Sequence, residues 1–230
     1  LLRTARGRIE QLRIATECYT TYHWLPRILR AFGARHPETE IRVVAEATAD
    51  PIGALLAGGI DLAVMLSKRP GRHLRSLPLF EDELVAVAAP DHPLARRPFV
   101  ELETLAAERF FVYTNLTTPD STLGALFRAA GLEPRRVSVI QLTEAILELV
   151  AAGLGVSVMA RWAIASHLAK GSVVPIRLTR SGIHREWHAV ALKRSATVAP
   201  LRELVELVRQ SREVEKSRGR EVPRRERPPS

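Results

Sequence analysis

The chain has 230 residues, 46% of them hydrophobic, which is enough to bury one large core or two small ones. No run of about 18 uncharged apolar residues and no secretory signal is present, and a single cysteine excludes an internal disulfide, so we expect a cytoplasmic protein with no membrane partner. The net charge is +9, but no basic helix interleaved with aromatic residues appears, which disfavours a DNA-reading surface within this chain.

A strand followed by a helix is predicted at the start of the chain. Apolar residues cluster at 12–15, and the spacing of Leu25, Ile28, Leu29 and Phe32 is that of a helix. The polar segment 16–21 lies between them, at the start of the helix. Helix N-termini carry unsatisfied N–H donors and a partial positive charge, so this junction suits a ligand with a carboxylate.

Strands and helices then alternate along the chain. The first series contains a strand at 40–47, a helix at 51–57 and a strand at 61–67. The second contains strands at 83–89, 110–114, 136–141 and 156–160, with helices at 102–107, 123–130, 143–152 and 162–170. A strand at 186–192 and a helix at 200–209 follow. This alternation predicts βαβ units and parallel sheets, and weak similarity between the halves indicates two related α/β subdomains.

Several segments carry a resemblance to a known family. They are IATEC with WLP near the start, GGIDLAVM at 58–65, PLFEDELVAVAAPDHPLA at 78–95 and VAAGLGVSVMARW at 150–162. In this order they resemble the effector-binding domain of LysR-type transcriptional regulators over residues 8–213. Within that family the resemblance is to the MetR branch, which regulates methionine biosynthesis in response to homocysteine.

The resemblance implies two Rossmann-like subdomains around a central cleft, similar to type 2 periplasmic binding proteins. Residues 1–10 would end a linker helix, 11–83 with 185–213 would form subdomain I, 84–184 would form subdomain II, and 214–230 would be a disordered basic tail. It also implies an N-terminal winged helix-turn-helix, absent from this chain, as the DNA-binding partner. The domain would form a homodimer, and the full-length protein a homotetramer.

The candidate effector site combines residues from both subdomains. The polar segment offers matched poles for an amino acid, because Glu17 can accept an ammonium group, Thr20 and Thr21 can hold a carboxylate, and Cys18 can face sulfur. By resemblance, Tyr19 also lines the cleft. Residues after other strands complete the set of candidates: Ser67, Tyr113, Thr114, Gln141, Thr143 and Arg161. Alternatively, Thr20 or Thr21 is only a helix cap, Glu17 is solvated, and Arg161 lies on the surface.

Other functions have weaker support in the sequence. Cys18 with His23 has no accompanying oxyanion-hole motif, so we predict no catalytic residues and no enzyme activity. His184 and His188 have no evident third ligand, and Gly153-Leu154-Gly155 lacks the spacing of a nucleotide-binding turn, so we predict no metal and no cofactor. The rival functions are a transporter's solute-binding protein, or an enzyme on the same bilobal fold.

Overall fold

The computed structural model of the chain describes residues 3–5, 8–17, 25–66, 71–118 and 121–220. The chain divides into two compact units, unit 1 (Leu1–Phe80 with Glu186–Ser230) and unit 2 (Glu81–Arg185). Both units combine sheet strands with helices, which confirms the predicted α/β class. No helix in the described ranges is long and apolar enough to cross a lipid bilayer.

The elements follow the chain in this order. The strands are Arg3–Ala5 (β1), Arg8–Thr16 (β2), Glu40–Val43 (β3), Leu62–Met65 (β4), Leu74–Ala88 (β5), Phe99–Val100 (β6), Arg109–Val112 (β7), Arg136–Val139 (β8), Ser157–Ala160 (β9), Val174–Leu178 (β10) and Ile183–Leu192 (β11). The helices are Leu25–Arg35 (α1), Pro51–Leu56 (α2), Leu102–Ala106 (α3), Thr122–Ala129 (α4), Thr143–Ala151 (α5), Ala165–Lys170 (α6) and Ala199–Arg220 (α7). Short 3₁₀ helices are Ala45–Thr48, Pro93–Arg96 and Arg161–Ile164. Strands β5 and β11 each run from one unit into the other.

Unit 1 is built on the parallel strands β3, β2 and β4. Strand β2 pairs with β3 from Gln11 to Ile14 and with β4 from Ile14 to Thr16. Residues 188–190 of β11 pair antiparallel with β4. Apolar side chains from these strands, α2 and the start of β5 form one core: Ala15, Ala47, Leu55, Ile60, Ala63, Met65, Leu74 and Val190.

Helices α1 and α7 lie in contact in unit 1. The predicted stripe of α1 is confirmed, since Leu25, Ile28 and Phe32 are buried. Helix α7, predicted at 200–209, likewise has a buried apolar stripe at Leu201, Leu204, Val205 and Val208. Each helix therefore buries one apolar face, and burial of such a face stabilises a helix more than its intrinsic propensity does.

Unit 2 has β5 in the middle of its sheet. Strand β9 pairs antiparallel with β5 from Leu84 to Val87, and β10 pairs antiparallel with it from Val85 to Ala88. Strand β6 extends the sheet beside β10, and β7 pairs parallel with β8. Alternate residues of β5 enter two separate cores, with Leu84, Ala86 and Ala88 in one and Val85 and Val87 in the other. Helices therefore cover both faces of this sheet, with α3 and α4 in the first core and α5 in the second.

The glycines of the AGLG segment have distinct roles in unit 2. Gly153 has a φ of 73°, in the left-handed region where a side chain is strained, and it ends helix α5. A Cβ atom on Gly155 would lie 2.5 Å from the carbonyl oxygen of Arg109. Glycine at this position lets the backbone leading into β9 approach β7, where the Val156 N–H donates to the carbonyl oxygen of Arg109 at 2.9 Å.

Several predicted elements were wrong. The predicted end of a linker helix at 1–10 contains β1 and the start of β2 where it is described, because Thr4 and Ala5 pair with Ile9 and Arg8 in a β-ladder. The tail predicted as disordered from 214 is helical up to 220, because α7 continues through a segment that contains no proline. The strand predicted at 40–47 ends at Val43, and a 3₁₀ helix follows it.

Candidate functional site

The first candidate site lies at the carboxyl edge of the parallel strands of unit 1. Strands β2 and β4 end side by side, and Glu17 directly follows β2. The amide N–H of Glu17 donates to the carbonyl oxygen of Val64 (3.0 Å), which continues the ladder by one residue. This edge is the usual location of ligand sites in open α/β sheets.

The side chain of Glu17 is half-buried and holds the two strand ends together. Its Oε2 atom accepts a hydrogen bond of 2.8 Å from the backbone N–H of Leu66. Within the described residues the Glu17 side chain makes no other hydrogen bond. The carboxylate therefore positions the segment after β4, a role that the sequence did not reveal.

Other candidates of unit 1 lie outside the described residues. These are Cys18, Tyr19, Thr20, Thr21 and Ser67, which stay predictions. They are continuous in sequence with described residues that end β2 and β4.

A second group of candidates lies at one edge of unit 2. Strand β7 is parallel to β8, and a parallel bridge between Phe110 and Val156 aligns β7 with the segment that leads into β9. Because parallel strands end at the same edge, residues that follow β7, β8 and β9 lie along it. The structure places the five predicted residues of unit 2 there: Tyr113, Thr114, Gln141, Thr143 and Arg161.

These five residues differ in exposure and surroundings. Tyr113 is half-buried and packs against the core that contains Phe111 and Ile146. Thr114, Gln141 and Arg161 are exposed. Thr143 is the first residue of α5. The residue before it, Leu142, makes no side-chain hydrogen bond to the backbone N–H groups of the first turn. The free N–H groups and partial positive charge of that N-terminus favour a carboxylate there.

A comparison with known families identifies the chain. The family model described as LysR substrate binding domain matches residues 5–213. The chain belongs to this family.

Known relatives of this LysR domain are transcriptional regulators. The HTH-type transcriptional regulator MetR of Haemophilus influenzae is 29% identical over 212 residues, which cover 91% of this chain and 67% of the relative. MetR of Salmonella typhimurium is 33% identical over 164 residues, which cover 71% of this chain and 51% of the relative. The chain thus spans about half to two thirds of the length of these regulators.

The fold of the LysR domain also matches a solved regulatory domain. The regulatory domain of NMB2055 (MetR), a LysR family regulator from N. meningitidis, superposes with a TM-score of 0.79 and 29% identity. The match covers 89% of this chain and 94% of that domain. These matches confirm the resemblance to MetR regulators that the sequence motifs indicated.

A buried ion pair between Asp82 and Arg185 contacts Trp162, the residue after Arg161. Asp82 is buried, and its carboxylate accepts hydrogen bonds from Arg185 Nε (3.0 Å) and from Trp162 Nε1 (3.2 Å). A further charge-assisted bond joins Asp82 Oδ2 to the Arg185 guanidinium at 2.6 Å. The Trp162 contact fixes the residue after Arg161.

The two histidines on β11 have different surroundings in the LysR domain. His188 is buried, and its Nδ1 lies 2.8 Å from the Ser76 hydroxyl. His184 is exposed. His23, which was weighed with Cys18 as a catalytic pair, lies outside the described residues.

Proposed function

We propose that this LysR domain senses a small amino-acid or thiol metabolite, homocysteine in the first instance, and thereby controls DNA binding by a winged helix-turn-helix outside this sequence. The observation that carries the proposal is the likeness to the MetR regulatory domain at 29% identity and a TM-score of 0.79. The curated relatives support it, because they are HTH-type transcriptional regulators of the same family.

The placement of polar groups in unit 1 supports an amino-acid effector. Glu17 supplies a carboxylate at the carboxyl edge of β2 and β4, where it can pair with the ligand's ammonium group. Cys18 and the two threonines that follow Tyr19 would contact the sulfur and the carboxylate, as predicted from the sequence.

The edge of unit 2 carries groups that also suit a ligand with a carboxylate. Hydroxyl, amide and guanidinium groups follow three strands, and the N-terminus of α5 favours a negative charge. In the proposed mechanism, the effector binds one arrangement of the domain more tightly than another. A difference of about 1–3 kcal/mol between the two is typical of allosteric coupling.

The simplest proposed assembly is a homodimer of this domain and a homotetramer of the full-length protein. A regulator that pairs in this way binds two DNA half-sites, so a change within the domain alters how both are held. Light scattering of this chain at micromolar concentration tests the dimer.

Isothermal titration calorimetry with homocysteine, methionine and cysteine tests the ligand. Homocysteine is expected to bind, while cysteine, one methylene shorter, and methionine, with a methylated sulfur, are expected to bind more weakly. Absence of heat for all three with folded protein would reject this class of effector.

The variant Glu17→Gln tests the role of the carboxylate. Glutamine keeps an oxygen that can accept from the Leu66 N–H but removes the negative charge. We expect homocysteine affinity to fall at least about tenfold, because a charge-assisted hydrogen bond contributes about 1.5–3 kcal/mol. Glu101→Gln, at an exposed position before α3, is the matched control and should bind as the wild type does. Equal affinity of the Glu17 variant and the wild type would remove Glu17 from the site.

A further inference from the structure

A cavity of about 740 Å³ lies in unit 1, away from the carboxyl edge of β2 and β4. Its walls come from the end of α1, the start of β5 and the first turns of α7. Four arginines line it: Arg35, Arg75, Arg202 and Arg209. A cavity of this volume is within the range of small-molecule sites, about 300–1,000 Å³.

The two carboxylates in the cavity wall are already engaged by protein groups. Glu203 accepts a hydrogen bond of 3.0 Å from Arg35 and lies 2.7 Å from His36 Nε2. Glu206 lies 3.7 Å from the Arg209 guanidinium, and Arg209 also donates to the Pro78 carbonyl oxygen at 2.7 Å. The hydrogen bonds from His36 and Arg35 hold the pKa of Glu203 below its ordinary value of 4.5, so this residue is ionised at neutral pH.

The other two arginines form no ion pair with the part of the chain that the structure describes. Neither Arg75 nor Arg202 has a carboxylate within 4.0 Å among the described residues, although both line the cavity. The cavity therefore has two guanidinium groups whose positive charge no described side chain neutralises. Guanidinium groups match phosphate and carboxylate oxygens through paired N–H donors.

The remaining wall suits the carbon skeleton of a metabolite. Leu77 and Val205 supply apolar surface, and Ala199 begins α7. The first turn of this 22-residue helix adds a partial positive charge on the same side. The cavity thus combines two arginines that pair with no carboxylate in the described ranges, a helix N-terminus and an apolar wall.

We propose that this cavity is a second ligand site of the domain, which binds a small phosphate monoester through Arg75 and Arg202. A phosphate monoester carries about −1.5 to −2 charges at pH 7, which matches two free guanidinium groups better than a monocarboxylate does. Arg75 and Arg202 are far apart in the sequence, and only the fold places both in the wall of one cavity.

Amide chemical shifts in a two-dimensional ¹⁵N–¹H spectrum of the whole chain test the proposal. The probes are inorganic phosphate and glycerol 3-phosphate, with glycerol and sodium chloride at matched ionic strength as blanks. We expect saturable shifts around residues 75–77 and 196–206 with both phosphates and none with the blanks. Tighter binding of glycerol 3-phosphate than of inorganic phosphate is expected, because the apolar wall contacts its carbon chain.

A double variant, Arg75→Ala with Arg202→Ala, should weaken phosphate binding at least about tenfold, since two charge-assisted contacts are lost. Both side chains are exposed and hydrogen-bond to no described residue, so the variant should keep the wild-type melting temperature. Arg96→Ala with Arg97→Ala removes the same charge from an exposed segment of unit 2 and should bind as the wild type does. Equal losses in both double variants, or shifts that do not saturate or lie elsewhere, would overturn the proposal. These results do not depend on whether homocysteine binds.

Discussion

Asp61 is a buried carboxylate whose charge is balanced by one neighbouring residue. The Asp61 side chain is 4% exposed. It accepts hydrogen bonds from three groups of Arg13, which are Nε (3.0 Å), Nη2 (2.8 Å) and the backbone N–H (2.9 Å). The same guanidinium donates to the Gly58 carbonyl oxygen at 2.7 Å. The pair thus joins β2 to the turn before β4, within the GGIDLAVM segment.

We expect Asp61→Asn to destabilise the protein by about 3 kcal/mol. Removing one partner of a buried ion pair leaves the other charge without compensation in a poorly solvated place. The free energy of unfolding in urea, monitored by circular dichroism, measures the loss. Glu206→Gln, which removes one partner of an exposed pair at 3.7 Å, is the control and should cost no more than about 1 kcal/mol. Similar losses in the two variants would contradict this account of the Asp61 pair.

Glu203 couples the stability of unit 1 to acidic pH. The hydrogen bond from His36, and then that from Arg35, lowers the pKa of Glu203 in the folded state below the ordinary value of 4.5. A carboxyl whose folded pKa is lowered stabilises the fold fully above its unfolded pKa, and loses this contribution as pH falls through the folded value.

The difference in unfolding free energy between the wild type and Glu203→Gln should therefore shrink as the pH falls below about 5. Urea unfolding at a series of pH values from 6 to 3 measures it. In a His36→Ala background the pH-dependent part should be smaller, because His36 makes the largest contribution to the pKa shift. A difference that grows as the pH falls would have the wrong sign.

At the scale of elements, two glycines within helices have opposite surroundings. A Cβ atom on Gly33, in α1, would meet nothing within 4 Å. A Cβ atom on Gly124, in α4, would overlap the backbone carbonyl oxygen of Leu116. Glycine lowers helix stability in general, but at Gly124 the lack of a side chain permits a close approach of two backbone segments.

Gly33→Ala is expected to stabilise the protein by about 0.5–1 kcal/mol, and Gly124→Ala to destabilise it by more than about 2 kcal/mol. The first variant gains helix propensity without a clash, whereas the second must displace backbone atoms. Thermal and urea unfolding of both variants measure the effects. A stabilised Gly124 variant would show that the segment around Leu116 yields at little cost.

Periodicity found elements with one apolar face better than it found strands at irregular positions. The helical stripe of α1 could be predicted because its four apolar residues recur at helical spacing. The structure buries three of them. The first half of β5 was missed, because Pro78 interrupts the pattern and exposed residues alternate irregularly with buried ones. Strand β10 was missed for a similar reason, since Pro175 lies within its five residues.

At the scale of the whole molecule, the sequence predicted which strands end in polar residues but not what those residues contact. Parallel pairing places Tyr113 and Gln141 at one edge of unit 2, as the order of strands and helices implied. The bond from Leu66 to Glu17 and the Asp82–Arg185 pair join residues 49 and 103 positions apart. Local patterns carry no information about such partners, because only the folded sheet brings them together.

The central claim is that an amino-acid effector binds at the strand ends that carry the predicted polar residues. A crystal structure of this chain grown with homocysteine tests it most directly. The account predicts electron density for the ligand, with its ammonium group within about 3 Å of the Glu17 carboxylate, the usual distance of a charge-assisted hydrogen bond. Density that lies only against other surfaces, or empty strand ends at saturating homocysteine, would contradict it.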